Sequence, residues 1–280
     1  MTRGHDPSDA VTAGTGPSVT APAKLTLSLQ VTGVRDDGYH FLDAEMVSID
    51  LADTLTFGPG EGIAVVDAVS GHLGVRQVPT GPDNLVARAL AVVGRAASVR
   101  IVKRIPAGAG LGGGSADAAA VLRWAGISDL AVAVRLGADV PFCVRGGRAR
   151  VTGVGEEVEP LRFEDRRFVL LLSPLSVDTA SVYEQWDDRR TRHTDRERVG
   201  EPGGNDLESA AIAVAPQLAR WRQEFAAVTG VPPRLAGSGS TWFVEGDAEG
   251  LGIAGLDFLV MGDQHAPLVE VRTVPAVSAR

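Results

Sequence analysis

Two charged residues that stand among apolar neighbours are the first candidates for chemistry in this chain. Lys24 lies within A-P-A-K-L-T-L (residues 21–27), and Asp139 lies within L-G-A-D-V-P-F (residues 136–142). Because an ionised side chain in apolar surroundings is costly unless it is paired, we predict that Lys24 and Asp139 meet. The carboxylate could then take or orient the proton of an acceptor hydroxyl while the ammonium offsets negative charge, as in phosphoryl transfer. A structural ion pair without a catalytic role is the alternative.

A glycine-rich loop is the second candidate. Residues 106–115 are P-A-G-A-G-L-G-G-G-S and lie between a predicted strand and a predicted helix. Glycines let a backbone turn with positive φ and approach a ligand closely. The free N–H groups at the start of the following helix form a site for an anion. Ser115 could cap that helix or turn its hydroxyl to a phosphate or a metal.

Three other interpretations of this loop compete with a phosphate site. Gly108, Gly110 and Gly113 satisfy G-x-G-x-x-G, but a dinucleotide-binding motif should follow the first strand of a βαβ unit, and this loop lies mid-chain after several strands. A Walker loop is excluded because no lysine follows the glycines. A flexible linker remains possible, although the helix directly after the glycines is evidence against it.

Composition narrows the class of protein. The 280 residues contain 27 Lys and Arg against 35 Asp and Glu, a formal net charge of −8 that provides no general attraction for nucleic acid or an anionic membrane. The single cysteine, Cys143, excludes a disulfide framework or a cysteine zinc cluster and fits a reducing cytosol. Residues 1–19 have no apolar block, so we predict a disordered leader rather than a secretory signal.

The periodicity of apolar residues predicts the elements that hold these candidates. Strands are expected at residues 18–31, 41–49, 53–57, 63–69, 98–103, 148–154, 168–173, 235–244 (interrupted at 237–240), 256–261 and 268–274. Helices are expected after an N-cap at Asp83 and at residues 115–124, 130–136 and 207–229, the last broken at Pro216. Residues 187–204 are dense in charge, Gly and Pro and predict a solvated loop. This order of elements favours an α+β fold, and we place a domain boundary near residues 155–160.

Several motifs resemble those of the GHMP kinases. P-A-K (residues 22–24), the glycine loop and G-S-G-S (residues 237–240) match the three motifs of that family and occur in its order. D-G-Y-H (residues 37–40), residues 136–142 and G-N-D-L-E (residues 204–208) resemble, more narrowly, the branch that acts on a cytidine diphosphate derivative of methylerythritol. The resemblance covers nearly the whole chain, from about residue 21 to residue 274.

The resemblance implies a fold and an activity. It implies a two-domain α+β GHMP kinase fold, with an N-terminal ATP-binding domain (20–157) and a C-terminal α/β-plait-like domain (158–280). It implies ATP-dependent phosphorylation of the 2-hydroxyl of 4-(cytidine 5'-diphospho)-2-C-methyl-D-erythritol in the non-mevalonate isoprenoid pathway. ATP and Mg²⁺ are the expected cofactors, and a cytoplasmic monomer or homodimer without nucleic-acid or membrane partners is expected. The alternatives are a homoserine- or mevalonate-type kinase, a non-catalytic nucleotide-binding member and, least favoured, a nicotinamide oxidoreductase.

The resemblance also implies roles for residues of this chain. Asp139 would be the catalytic base and would also contact the substrate, with Lys24 as its partner. The nucleotide phosphates would contact the glycine loop through Pro106, Gly108, Gly110, Leu111, Gly112, Gly113, Gly114 and Ser115, with Ser115 near Mg²⁺. The substrate would contact Thr26, Tyr39, His40, Thr179, Tyr183, Gly237 and Ser238, and the rings of Tyr39 and Tyr183 would stack on the two faces of its base.

One position departs from the family. Thr26 stands where the family usually has an asparagine, and its shorter reach puts that substrate contact in doubt. For Tyr183, an ordinary half-buried ring is the alternative to base stacking.

Overall fold

The computed structural model describes residues 16–68, 78–192 and 204–277. Most of the predicted leader, residues 1–15, lies outside these ranges, as do residues 193–203 of the predicted loop. Ser18 and Val19, at the end of the predicted leader, already belong to the first strand, because Ser18 pairs with Thr56 and Val19 with Leu55.

The first sheet contains six strands and carries four of the helices. Its strands are β1 (Ser18–Val34), β2 (His40–Gly58), β3 (Gly62–Asp67), β4 (Ser98–Lys103), β5 (Arg148–Gly153) and β6 (Glu157–Pro160). Their order is β3-β4-β2-β5-β6, with β1 antiparallel to β2 and only the β3–β4 pair parallel. The helices are α1 (Leu85–Val93), α2 (Gly113–Trp124), α3 (Leu130–Ala133) and α4 (Val140–Arg145).

The second sheet has five strands and three helices. Its strands are β7 (Arg167–Leu172), β8 (Arg234–Leu235), β9 (Thr241–Glu245), β10 (Phe258–Met261) and β11 (Gln264–Arg272), in the antiparallel order β10-β11-β7-β9-β8. The helices are α5 (Thr179–Arg192), α6 (Glu208–Val214) and α7 (Gln217–Thr229), and Pro216 separates α6 from α7 as predicted. None of the helices in the described ranges has the length and apolar character needed to cross a membrane.

The first sheet ends within the predicted boundary region, residues 155–160, but beyond residue 157. A boundary after residue 157 would cut β6, whose residues 157–160 pair with β5 of the first sheet. The chain therefore leaves the first sheet after Pro160. It returns near its end, where Thr273 and Ala276 bridge to Ile49 and Gly146.

Several element boundaries also correct the sequence predictions. The predicted break within residues 50–52 is absent, and β2 continues through it to Asp53, which is buried with an ionic partner from β4. The N-cap of α1 is Asn84 rather than Asp83, since the Asn84 side chain accepts a hydrogen bond from the N–H of Val86 at 2.8 Å. Helix α3 ends at Ala133 rather than residue 136, and α4 was not predicted. Residues 187–192 continue α5 instead of starting a loop.

Bulges in β1 shape the environment of Lys24. The β1–β2 register shifts between Pro22 and Lys24 and again between Thr26 and Ser28. Ala21, Ala23, Leu25, Leu27 and Leu29 form the buried face of the strand, as the alternation predicts. Lys24 and Thr26, on the other face, are buried as well, because the loops of the candidate site cover them.

Candidate active site

Lys24 and Asp139 meet, as we predicted from their apolar surroundings. The Nζ of Lys24 lies 3.5 Å from Oδ2 of Asp139, and it donates a hydrogen bond to the hydroxyl of Thr26 at 3.2 Å. The lysine side chain is 8% exposed, whereas that of Asp139 is 33% exposed. The pair therefore presents its carboxylate, rather than its ammonium, to an incoming molecule.

The two residues reach this position from different elements. Lys24 projects from β1, and its backbone N–H donates to the carbonyl of Leu111 in the glycine loop at 3.0 Å. Asp139 is the N-cap residue of α4, but its side chain makes no capping hydrogen bond. The carboxylate of Asp139 therefore accepts no hydrogen bond from the backbone at the start of α4 and is available to Lys24.

The glycine loop has the geometry of an anion site. Gly108, Gly110 and Gly112 all have positive φ. Helix α2 begins at Gly113, two residues before the predicted start, and its first backbone hydrogen bond runs from the N–H of Ala116 to the carbonyl of Gly112 at 2.8 Å. The N–H groups at residues 113–115 thus precede the helical hydrogen-bond ladder and can bind an anion.

The residues of this loop differ in burial. Pro106 and Leu111 are buried, so their side chains belong to the core and only their backbone borders the loop. Gly114 is exposed, and Ser115 is half-buried in the first turn of α2. The N-cap of α2 is Gly112, which provides no side-chain cap. The alternative in which Ser115 caps the helix is therefore wrong, and its hydroxyl remains a candidate for a phosphate or metal contact.

A second glycine turn, residues 237–240, closes over the first. A Cβ on Gly110 would lie 2.6 Å from the Cα of Gly239, so the two backbones are in direct contact. The Thr241 hydroxyl donates to the carbonyl of Ala109 at 2.7 Å and joins the two loops. A Cβ on Gly237 would lie 3.3 Å from the Nζ of Lys24. The turn therefore lies beside the lysine.

Asn205, in the G-N-D-L-E motif, holds this turn in place. Its side-chain amide donates to the carbonyls of Leu235 at 3.0 Å and Gly237 at 2.7 Å, and its Oδ1 accepts from the N–H of Leu207 at 2.9 Å. Within the turn, Ser240 is fully buried. The hydroxyl of Ser238 lies 3.0 Å from that of Thr179, the first residue of α5.

An aromatic group lies on the α5 side of the site. The rings of His40 and Tyr183 are 4.6 Å apart at their centroids, and Trp186 packs edge-on against His40 at 5.5 Å. Burial, and secondly the charge of Asp139, raise the pKa of the Tyr183 phenol. The charge of Asp139 therefore acts on Tyr183, although burial is the larger cause of the shift.

Tyr39 differs from Tyr183 in its surroundings. It is 61% exposed, and its ring lies 5.2 Å from the guanidinium carbon of Arg35. No direct ring contact between Tyr39 and Tyr183 occurs in the described ranges. The predicted stacking of both rings on one base therefore stays a prediction.

Two groups of polar residues in the structure were not among the sequence predictions. One is Asp187, whose carboxylate pairs with His40; the signal was the spacing of Tyr183, Trp186 and Asp187, which puts them on one face of a helix. The other is Lys103 of β4, which binds the carboxylates of Asp53 and, at 2.7 Å, of Asp117 in α2. The rarity of lysine drew attention to Lys103 but did not identify its partners.

The buried group of Lys103, Asp53 and Asp117 lies directly under the start of α2. A Cβ on Gly113 would be 3.2 Å from the Nζ of Lys103. Asp53 also accepts hydrogen bonds from the backbone N–H groups of Arg104 at 2.5 Å and Ile105 at 2.9 Å. The group therefore anchors the segment that leads into the glycine loop.

Comparisons with known proteins agree on one family. Residues 84–147, which include the glycine loop, match the family described as GHMP kinases N terminal domain. The chain is 39% identical over 245 residues to the 4-diphosphocytidyl-2-C-methyl-D-erythritol kinase of Cereibacter sphaeroides (strain ATCC 17025 / ATH 2.4.3), covering 80% of this chain and 87% of that protein. It is 36% identical over 254 residues to the kinase of the same name from Paramagnetospirillum magneticum (81% and 87%).

Solved structures show the same relationship. A crystal structure of 4-(cytidine 5'-diphospho)-2C-methyl-D-erythritol kinase superimposes with a TM-score of 0.67 at 31% identity, covering 92% of this chain and all of that one. The Methanococcus jannaschii mevalonate kinase superimposes with a TM-score of 0.58, covering 94% and 100%, but at 12% identity it is similar in fold alone.

Proposed function

This chain belongs to the 4-diphosphocytidyl-2-C-methyl-D-erythritol kinase family of GHMP kinases, and from that premise we propose how its own residues carry out the reaction. It is an ATP-dependent kinase of isoprenoid biosynthesis whose acceptor is 4-(cytidine 5'-diphospho)-2-C-methyl-D-erythritol. The observation that supports this reaction most strongly is the Lys24–Asp139 pair beside two glycine turns.

Asp139 is the base in this proposal. Its partly exposed carboxylate accepts the proton of the acceptor's 2-hydroxyl as that oxygen attacks the γ-phosphorus of ATP, while the bond from this phosphorus to the bridging oxygen breaks and ADP leaves. Lys24, held by Thr26 and by the backbone of Leu111, offsets the negative charge that gathers at the transferred phosphoryl group. The buried ammonium has little freedom to move, so the pair is preorganised for this step.

The glycine loop fits the phosphates of ATP. Gly112 lies so close to Lys24 that a Cβ there would be 2.7 Å from the lysine Cγ, so the glycine gives the lysine side chain room to pass the loop. The N–H groups at the start of α2 and the Ser115 hydroxyl are the donors that this loop provides.

Mg²⁺ is also part of the proposal. The described residues contain no cluster of three or more His, Cys, Asp or Glu that could hold a metal by themselves. Mg²⁺ is commonly bound by few protein ligands together with substrate phosphates. Ser115 is the residue that would contact it, and the metal's contribution is to neutralise charge on the phosphates.

The substrate's cytosine would bind among Tyr39, His40 and Tyr183. Tyr183 and His40 form a half-buried aromatic wall on the α5 side of the site, and the exposed ring of Tyr39 is adjacent in sequence to His40. Thr179, Ser238 and Gly237 continue the same surface toward Lys24. The hydroxyl of Thr26 accepts a hydrogen bond from Lys24. We therefore propose that Thr26 holds the lysine in place and does not make the substrate contact of the asparagine that the family usually has at this position.

Four further points are proposals of the same kind. We place the end of the N-terminal domain after Pro160, where the first sheet ends. The acidic net charge supports the absence of a nucleic-acid partner. The single buried cysteine supports a cytoplasmic location. The protein acts as a monomer or a homodimer.

Product analysis tests the function. The protein is incubated with ATP, Mg²⁺ and the cytidyl substrate, and in parallel with homoserine and mevalonate, and the phosphorylated products are measured by mass. We expect product with the cytidyl compound alone. Transfer to homoserine or mevalonate without transfer to the cytidyl compound would exclude the proposed function, and ATP binding without any transfer would favour the non-catalytic alternative.

A further inference from the structure

The His40 ring is held by three residues of one helix. Its Nε2 lies 3.0 and 3.1 Å from the two carboxylate oxygens of Asp187, while Tyr183 packs on its face and Trp186 against its edge. The His40 side chain is 9% exposed, and that of Asp187 is 42% exposed. The ring therefore has one orientation, with Nε2 directed at α5.

This arrangement determines where the imidazole proton lies. A carboxylate can only accept hydrogen bonds, so Nε2 must carry the hydrogen. In a neutral imidazole the other nitrogen, Nδ1, then has a lone pair and acts as an acceptor. Within the described ranges the hydrogen bonds of the His40 ring run through Nε2, so a ligand that reaches this ring would meet Nδ1.

Which ring nitrogen carries the hydrogen affects the recognition of pyrimidine bases. Cytosine presents an exocyclic amino group, which donates hydrogen bonds, where a uracil-type base presents a carbonyl oxygen, which accepts them. An acceptor at Nδ1 matches the amino group and would face the carbonyl oxygen with a second lone pair. A site built around one hydrogen bond rejects analogues that cannot make it.

We propose that Asp187 is a positioning residue that fixes His40 as the Nε2–H tautomer, so that Nδ1 accepts a hydrogen bond from the amino group of cytosine and uracil is rejected. This inference rests on the proposed function and deepens it, because it assigns base selection to a residue outside the reacting pair.

Kinetics with two substrates test the selection. The turnover of the cytidyl substrate and of its uridine diphosphate analogue is measured for the unaltered chain, for Asp187→Asn and for Glu184→Gln. Asparagine keeps the shape but can also donate to Nε2, which allows the opposite tautomer. Glu184 is exposed on the same helix, so Glu184→Gln removes the same charge away from His40.

We expect Asp187→Asn to lower the cytidine-to-uridine ratio of kcat/KM at least about 10-fold, mainly through KM of the cytidyl compound. The KM for ATP should stay within about 2-fold, and Glu184→Gln should keep the ratio of the unaltered chain. An unchanged ratio in Asp187→Asn, or an equal fall in Glu184→Gln, would overturn the inference. If the unaltered chain still phosphorylates the cytidyl substrate, such a result would refute the role of Asp187 but not the proposed function.

A spectroscopic measurement tests the tautomer without substrate. Long-range ¹H–¹⁵N correlation spectra of the full chain distinguish the two tautomers and the doubly protonated ring, and His40→Gln identifies the signal of His40 among the five histidines. We expect the Nε2–H tautomer in the unaltered chain and a shift toward the Nδ1–H form in Asp187→Asn. A ring protonated on both nitrogens near neutral pH, or the Nδ1–H form in the unaltered chain, would refute the role of Asp187. No turnover of either nucleotide by the unaltered chain would refute the proposed function and this inference together.

Discussion

Lys24 and Asp139 are 3.5 Å apart, but the lysine side chain is 8% exposed and the aspartate side chain 33% exposed. The difference means that an acceptor molecule can reach the carboxylate while protein surrounds the ammonium. A structural ion pair would gain nothing from this asymmetry, whereas a base must touch its substrate.

Replacement of the carboxylate tests this interpretation. Asp139→Asn keeps the shape of the side chain but can neither accept the proton nor balance Lys24. We expect kcat to fall by about 10² to 10⁴-fold, the usual contribution of a general base, with ATP affinity nearly unchanged. Steady-state kinetics and calorimetric titration with nucleotide measure the two effects. Near-normal turnover in a folded variant would assign Asp139 a purely structural role.

Lys24→Arg should also be severely impaired. The lysine passes Gly112 closely and bonds to Thr26, so the wider, planar guanidinium cannot take the place of a compact ammonium. We expect a loss of turnover of about 10²-fold or more, together with some loss of stability, and rates are to be normalised to the folded fraction. Activity within a few-fold of normal would show that any cation at this position suffices.

Ser115→Ala tests whether the Ser115 hydroxyl positions a phosphate or stabilises helix α2. Ser115 lies inside the first turn of α2, and Gly112 is the N-cap, so removal of the hydroxyl should change the free energy of unfolding by no more than about 0.5 kcal/mol. Turnover should fall more than nucleotide affinity, because the loop backbone provides most of the donors for the phosphates. Melting and rate are measured on one preparation. A loss near 1 kcal/mol with unchanged turnover would indicate a capping role instead.

The two tyrosines should respond differently to truncation. If both stack on the base, Tyr39→Ala and Tyr183→Ala each weaken the cytidyl substrate by roughly 1 to 3 kcal/mol, and the phenylalanine variants weaken it much less. Tyr183 packs against His40 whereas Tyr39 is exposed, so only Tyr183→Ala should also lower the melting temperature. ATP affinity should stay constant in all four variants. Equal weakening of ATP and substrate would argue against a stacking pair.

The buried group under α2 predicts a pH dependence of stability. Burial raises the pKa of Asp117 from its ordinary value of 3.8 to about 7. Between about pH 4 and 7 the unfolded chain therefore loses this proton while the folded chain keeps it, so the free energy of unfolding falls as pH rises. Asp117→Asn should remove this decline, worth about 1 kcal/mol or more, as followed by chemical unfolding at pH 5 and pH 8.

Asp53→Asn is the matched comparison for Asp117→Asn. Asp53 accepts from Lys103 and from two backbone N–H groups, so its loss leaves a buried cation poorly compensated. We expect a destabilisation of about 3 kcal/mol or more at both pH values. A decline with pH that persists unchanged in Asp117→Asn would show that another group causes it.

Much of the local structure was predictable because it depends on neighbours in sequence. Strand β4 lies at residues 98–103 as predicted, and Pro216 separates α6 from α7, since a proline cannot continue the helix before it. The end of β1 and the continuity of β2 were not predictable, because β-bulges and a buried aspartate depend on partners far along the chain.

The sequence by itself determined which groups we propose to react, because a lysine and an aspartate in apolar segments require partners, and glycine turns require an open backbone. Only the tertiary structure decided the geometry of this pair and the partners of the other polar groups. Asp139 could not be assigned a distance to Lys24, nor Asp187 a contact with His40, until strands and helices from distant segments packed together. Periodicity reports which face of an element is buried, but the identity of the residue opposite that face depends on how the elements are arranged, and that is a property of the whole fold.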